Sequence, residues 1–150
     1  MTGADTSGSV PCSALRILVT DDETPVRDIF RMILTFSFPK CQIDVASNGQ
    51  EAVDSFLQFH QGILLMDLKM PVMDGQTAFD KIREHCTAKG WEMPAVIFCT
   101  GFATTHSVKS RVDQDPRHCM IQKPVTSEII CTAVRSRLPS PPVTGAEAPS

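Results

Sequence analysis

Gly62-Ile63-Leu64-Leu65-Met66-Asp67-Leu68-Lys69-Met70-Pro71-Val72-Met73-Asp74-Gly75 is the stretch that decides the fold. A short apolar run bounded by turn residues reads as a buried strand, here Ile63–Met66, and the segment after it is punctuated by Pro71 and Gly75. Asp67 stands where the strand stops. In open α/β sheets ligands bind in the crevice beyond the carboxyl ends of the strands, so Asp67 is the first candidate for chemistry and the other strand ends are where its partners should lie.

Working outward, Leu15–Thr20 forms a first strand that ends on Asp21-Asp22-Glu23, a second carboxylate cluster at a strand end. Thr24-Pro25 can cap and open a helix, with Val26, Ile29, Phe30, Ile33 and Leu34 recurring at helical spacing as one buried face. Pro39-Lys40 ends it before a short strand, Gln42–Ala46, and Asn48-Gly49 turns the chain into a helix carrying Ala52, Val53, Phe56 and Leu57. After Gly75 a third helix runs to about Lys89, with Ala78, Phe79 and Ile82 inward, and Asp74 reads as its start residue with no chemical role.

Ala95–Cys99 is a fourth strand ending on Thr100-Gly101, followed by a helix around Thr105–Gln114 whose only apolar anchors are Val108 and Val112. Cys119–Gln122 is a fifth strand ending on Lys123-Pro124, and Thr126 caps a last helix holding Ile129, Ile130, Ala133, Val134 and Leu138. Five strands alternating with five helices predict an α/β fold with a parallel sheet covered on both faces, because parallel strands need crossover connections. One domain over 13–138 is expected, with a disordered extension over 1–12 and a Pro/Ala/Ser-rich tail or linker over 139–150.

Composition narrows the function. With 42% hydrophobic and 21% charged residues in 150, the chain has the make-up of an ordinary globular domain. A net charge of −3 with no Lys/Arg run gives no footprint for nucleic acid or an anionic membrane, so direct DNA binding is not expected. No segment approaches the ~20 apolar residues of a membrane span, and the N-terminus lacks a signal-peptide core, so a cytoplasmic location is expected. Cys12, Cys41, Cys86, Cys99, Cys119 and Cys131 form no C-x-x-C and read as buried free thiols; the four histidines show no zinc spacing. Met66, Met70 and Met73 read as packing.

Parallel strands bring their carboxyl ends to one edge, so Asp21, Asp22, Asp67, Thr100 and Lys123 should converge. Crowded carboxylates repel unless a cation intervenes, and a set of hard oxygen ligands suits Mg²⁺, which often serves phosphate chemistry. Lys123 offers an ammonium and Thr100 a hydroxyl for phosphoryl oxygens, leaving Asp67 as a nucleophile able to form an aspartyl phosphate.

At these residues the sequence resembles the receiver domains of two-component response regulators of the stand-alone, chemotaxis type, over roughly Leu15–Leu138. The resemblance rests on Asp21-Asp22, on Asp67 with Pro71, Asp74 and Gly75 at the loop spacing, on Thr100, and on Lys123-Pro124. It implies a flavodoxin-like, doubly wound three-layer sandwich with strand order 2-1-3-4-5. It further implies that Asp67 accepts a phosphoryl group from a histidine kinase or histidine phosphotransfer protein. Mg²⁺ would be held by Asp22, Asp67 and the Lys69 backbone carbonyl, with Asp21 acting through water.

The resemblance also implies a cis Lys123–Pro124 bond, a site flanked by Lys69 and Phe102, and a switch in which Thr100 moves to the phosphoryl group and a strand-five aromatic swings inward. That reshapes the face of helix 4, strand 5 and helix 5 for a downstream protein. Met120 occupies the aromatic's position here and the chain has no tyrosine, which departs from the pattern. The expectation is a signalling domain rather than an enzyme, catalysing only its own phosphorylation and dephosphorylation, as a monomer or weak homodimer. Two alternatives stay open: a degenerate receiver that binds partners without phosphorylation, and a haloacid-dehalogenase-like phosphatase, although Lys69 stands where that family wants its second Asp.

Overall fold

In the computed structural model, which describes residues 13–101 and 105–139, strand and helix alternate five times. The elements are β1 (Ser13–Thr20), α1 (Thr24–Ser37), β2 (Gln42–Ala46), α2 (Gly49–Phe59), β3 (Gln61–Met66), α3 (Gly75–Lys89), β4 (Ala95–Thr100), α4 (His106–Val112), β5 (Cys119–Gln122) and α5 (Ser127–Arg135). All four pairings are parallel and the strand order is 2-1-3-4-5. The 1–12 extension, residues 140–150 of the tail, and Phe102 lie outside the described residues.

The apolar strands feed two cores because successive side chains point to opposite faces. Leu18, Leu64, Met66, Val96 and Phe98 meet Val53 and Phe56 of α2, Phe79 and Ile82 of α3 and Val108 of α4. Ile17, Val19, Ile63, Leu65 and Ile97 meet Phe30 and Leu34 of α1 and Ile130 and Val134 of α5. Met70 and Met73 pack on the first of these cores, and Cys86, Cys99 and Cys131 are buried free thiols, whereas Cys41 and Cys119 are half-buried.

Two local expectations need correction. The start of α1 has Glu23 at its N-cap position with no side-chain cap; Thr24 lies inside the helix and its hydroxyl accepts from Arg27. Its buried face is narrower than periodicity suggests, since Ile29 is 49% exposed, and Ile129 of α5 is likewise half out. Asp74 does start its helix as expected, and Asn48 has the same place at the start of α2. Asn48 and Asp74 cap α2 and α3 by accepting the Glu51 and Thr77 N–H groups, and among the described residues only Gly90 has positive-φ glycine geometry.

Candidate functional site

The sheet's backbone ladder runs on past the strands and fixes the site. Asp67 donates its N–H to the Thr20 carbonyl at 3.1 Å, Asp21 to the Ala46 carbonyl at 3.2 Å, and Lys123 to the Thr100 carbonyl at 2.8 Å. Residues far apart in sequence are thereby held level at one sheet edge. The loop after Asp67 is stitched back by the Gly75 N–H, which donates to the Leu68 carbonyl at 2.9 Å. A Cβ on Gly75 would collide with the Asp67 carbonyl oxygen, so glycine is required there for close approach.

The predicted carboxylates do converge. Asp21, Asp22 and Asp67 each offer an oxygen within 4.8 Å of the others; Asp21 and Asp67 are buried and Asp22 is exposed. Lys123 Nζ donates to Asp21 Oδ2 at 2.7 Å and to Asp67 Oδ2 at 3.2 Å. These groups border a cleft of about 450 Å³ lined by Asp22, Glu23, Asp67, Lys69, Met70, Pro71, Gly101 and Lys123. Asp21 does not line it, being occupied by Lys123 and by the Glu23 N–H at 2.9 Å. Thr100, fully buried, ends β4 directly before Gly101.

Burial holds the Asp67 carboxyl above its ordinary pKa; the Lys123 charge opposes that shift and the Asp21 charge adds to it. Burial works against the charged form of Lys123, but the hydrogen bond to Asp21 and the charge of Asp67 outweigh it and the ammonium is held more firmly than usual. The pocket is thus a carboxylate set short of positive charge, with one bound ammonium and one exposed acid at its mouth. Such hard, partly neutralised oxygen donors fit a small divalent cation.

Met120 sits on β5 beside Phe98 and packs on the core that faces α3 and α4. The Lys123–Pro124 bond is cis. Glu23, the third acid of the cluster read after the first strand, lines the cleft, and one contributor escaped the sequence reading: Arg27 Nη1 donates to the Asp21 carbonyl at 2.7 Å, tying α1 to the acidic turn. The only signal for Arg27 was its place in the first turn of α1, just after the acidic cluster.

Comparison with known families decides the identity: residues 17–135 match the response regulator receiver domain. The chain belongs to that family. The receiver is 41% identical over 73 residues to the regulatory protein AtoC of Escherichia coli, covering 48% of this chain but 15% of AtoC. It is 39% identical over 83 residues to the transcriptional regulatory protein SrrA of Staphylococcus aureus, covering 51% of this chain and 34% of SrrA. The receiver therefore spans a minor part of the curated relatives it matches.

Its fold is shared with the Vibrio cholerae chemotaxis protein CheY4, with a TM-score of 0.70 at 19% identity over 84% of this chain and all of that one. It is shared equally with the receiver domain of Saccharomyces cerevisiae Ssk1, solved with the histidine phosphotransfer protein Ypd1, with a TM-score of 0.71 at 19% identity over 82% and 88% of the two chains. The protein is thus a receiver domain of two-component signalling. Among the described residues no helix is long and apolar enough to cross a membrane.

Proposed function

We propose that Asp67 is the phospho-acceptor, taking a phosphoryl group from a phosphohistidine on a histidine kinase or phosphotransfer protein. One observation carries the reading: Lys123 Nζ bridges Asp21 and Asp67 at 2.7 and 3.2 Å, while Asp22 stands at the mouth of the same cleft. An oxygen of the Asp67 carboxylate attacks phosphorus as the P–N bond breaks, and the imidazole nitrogen leaves with the electron pair. Little covalent machinery is needed, because such transfers depend mainly on alignment and charge stabilisation.

Lys123 is already in place to follow the charge from carboxylate to phosphoryl oxygen. Asp22, Asp67 and the Lys69 carbonyl would hold Mg²⁺, with Asp21 steadying the site through water and keeping Lys123 oriented. The ion supplies charge neutralisation between the carboxylates and an incoming phosphoryl group. Thr100, buried at the end of β4, would donate its hydroxyl to the phosphoryl group and so pull on the chain that leads to α4. Met120 takes the place of a switch aromatic, and its pliable side chain repacks with weaker conformational preference.

The output is a changed face of α4, β5 and α5 offered to a downstream protein in the cytoplasm. The protein's only chemistry is its own phosphorylation and dephosphorylation. Residues 13–138 form the working domain in this reading, and residues 1–12 and 139–150 lie outside it.

Incubation with acetyl phosphate and Mg²⁺, followed by intact-mass measurement, should add one phosphoryl group to the wild type and none to Asp67→Asn. Loss of labelling on chelation is expected too. An unlabelled wild type would instead establish the degenerate, phosphorylation-independent receiver.

A further inference from the structure

The first turn of α2 lies against the loop that follows Asp67, and the contact is backbone on backbone. Gly49 donates its N–H to the Met73 carbonyl at 2.9 Å. A Cβ on Gly49 would press into that carbonyl oxygen, come within 2.9 Å of the Met73 carbonyl carbon, and lie 3.0 Å from the Asp74 carbonyl oxygen. Every obstructing atom belongs to the main chain, so no side chain can rotate away to make room. Gly49 has no positive φ, and its glycine identity is therefore explained by this approach rather than by turn geometry.

The far side of the clamp is equally firm. α2 is anchored at its start by Asn48, which accepts the Glu51 N–H at 2.9 Å, and by Glu51, which accepts both the backbone N–H and the hydroxyl of Ser47 at 2.8 Å. Pressure at Gly49 must fall on the loop instead. That loop is short: it is pinned to Gly49 through Met73 and to Gly75 through Leu68, and between the pins lie Lys69 and the cleft-lining Met70 and Pro71.

We infer that Gly49 is a positioning residue for the acceptor site: by admitting α2 to within a hydrogen bond of Met73, it sets where the Lys69 carbonyl stands relative to Asp67. Gly49 touches neither the cleft nor its carboxylates and acts only through the loop. This rests on the reading that Lys69 and the carboxylates hold Mg²⁺. Groups that orient metal ligands commonly alter affinity by ten- to a hundredfold when changed, so a loss on the order of tenfold or more is expected.

The test compares Gly49→Ala with Asn48→Ala in the full chain. Asn48→Ala removes the helix cap without crowding the loop and serves as the control for weakening the start of α2. Mg²⁺ affinity is measured by titration calorimetry, and amide hydrogen exchange of residues 68–73 is followed in metal-free protein. Gly49→Ala should weaken Mg²⁺ binding on the order of tenfold and speed exchange across the loop. Asn48→Ala should leave both at the wild-type level. Equal changes in the two variants, or none in Gly49→Ala, would overturn the inference.

If Gly49→Ala lacks a cooperative unfolding transition, the pair is remade on Val72→Gly. Val72 holds a left-handed φ of 69° one residue before Met73, and glycine there lets the Met73 carbonyl yield. Foldedness should recover while Mg²⁺ affinity stays below that of Val72→Gly alone; recovery of both refutes positioning. A wild type that binds no Mg²⁺ would refute the metal reading itself, and the metal-free exchange data would still judge the clamp.

Discussion

Acidification should weaken this fold in a way that His118 makes measurable. Its side chain is 5% exposed, its Nδ1 accepts the Val96 N–H at 3.0 Å, and its ring meets Phe79 edge-on with 5.2 Å between centroids. A ring that accepts at Nδ1 must carry its proton at Nε2. Protonating Nδ1 would turn it towards another N–H and place a cation against the apolar core. Burial accordingly pushes its pKa down to about 4, against 6.5 for a free histidine, with the Arg117 charge helping and the Asp115 charge opposing.

Because the folded pKa is the lower one, the unfolded chain binds the extra proton first as pH falls. The contribution of neutral His118 is complete above about pH 6.5, declines between there and about pH 4, and is gone below. A displacement of that size corresponds to about 3 kcal/mol, a large share of a typical total of roughly 5–15 kcal/mol. Urea unfolding at about pH 7.5 and about pH 4.5 would measure it, with His118→Asn as the reference. Asparagine can still accept through Oδ1 but does not titrate. The wild type should lose up to about 3 kcal/mol more than His118→Asn over that interval, and all other titrating groups cancel in the comparison. Parallel pH profiles would mean that folded His118 protonates freely and that the Val96 hydrogen bond imposes nothing.

Two further outcomes test how polar groups are used around the site. Thr20 Oγ1 is buried with no hydrogen-bond partner among the described residues, so Thr20→Val should raise stability by about 1 kcal/mol in urea unfolding; a loss of similar size would show that the hydroxyl is satisfied. Arg111 on α4 holds Asp80 on α3 by two bonds of 2.9 and 2.6 Å and Gln76 by a third of 3.1 Å, whereas Val108 is the one fully buried side chain of that seven-residue helix. Arg111→Ala should therefore lower amide protection across His106–Val112 on the order of tenfold while sparing α3, and uniform protection loss or none would contradict a polar anchor for α4.

The fold and the site were legible to different depths because they depend on different physics. Periodicity reports burial, and runs such as Ile63–Met66 and Ala95–Cys99 identified themselves as buried strands because both sheet faces are covered and neither alternates. Strand ends then predicted the company of Asp67 without any distance, since a parallel sheet leaves Asp21, Asp67 and Lys123 at the same edge however far apart they lie in the chain. Strand order was not legible in this way. The pattern of elements is compatible with several orders of five strands, and 2-1-3-4-5 came from resemblance.

What periodicity cannot express is the approach of one backbone to another. Asn48-Gly49 and Asp74-Gly75 read as turn signals, and both glycines prove to be needed for clearance beneath carbonyls that the fold brings from elsewhere, Met73 over one and Asp67 over the other. Likewise Ile29 satisfies the helical period of α1 yet stays half exposed, because Phe30 and Leu34 already fill the groove against the sheet. The α3–α4 contact was invisible for the same reason. Arg111 and Asp80 are each ordinary surface charges until the sheet sets their helices side by side, and then a helix with too few apolar residues gains an anchor. The charge balance at Asp67 has this character too: the cation that bonds it arrives from the end of a strand 56 residues later, so its strength depends on the whole sheet closing. Loosening any strand between β1 and β5 should thus weaken the hold of Lys123 on the Asp67 carboxylate.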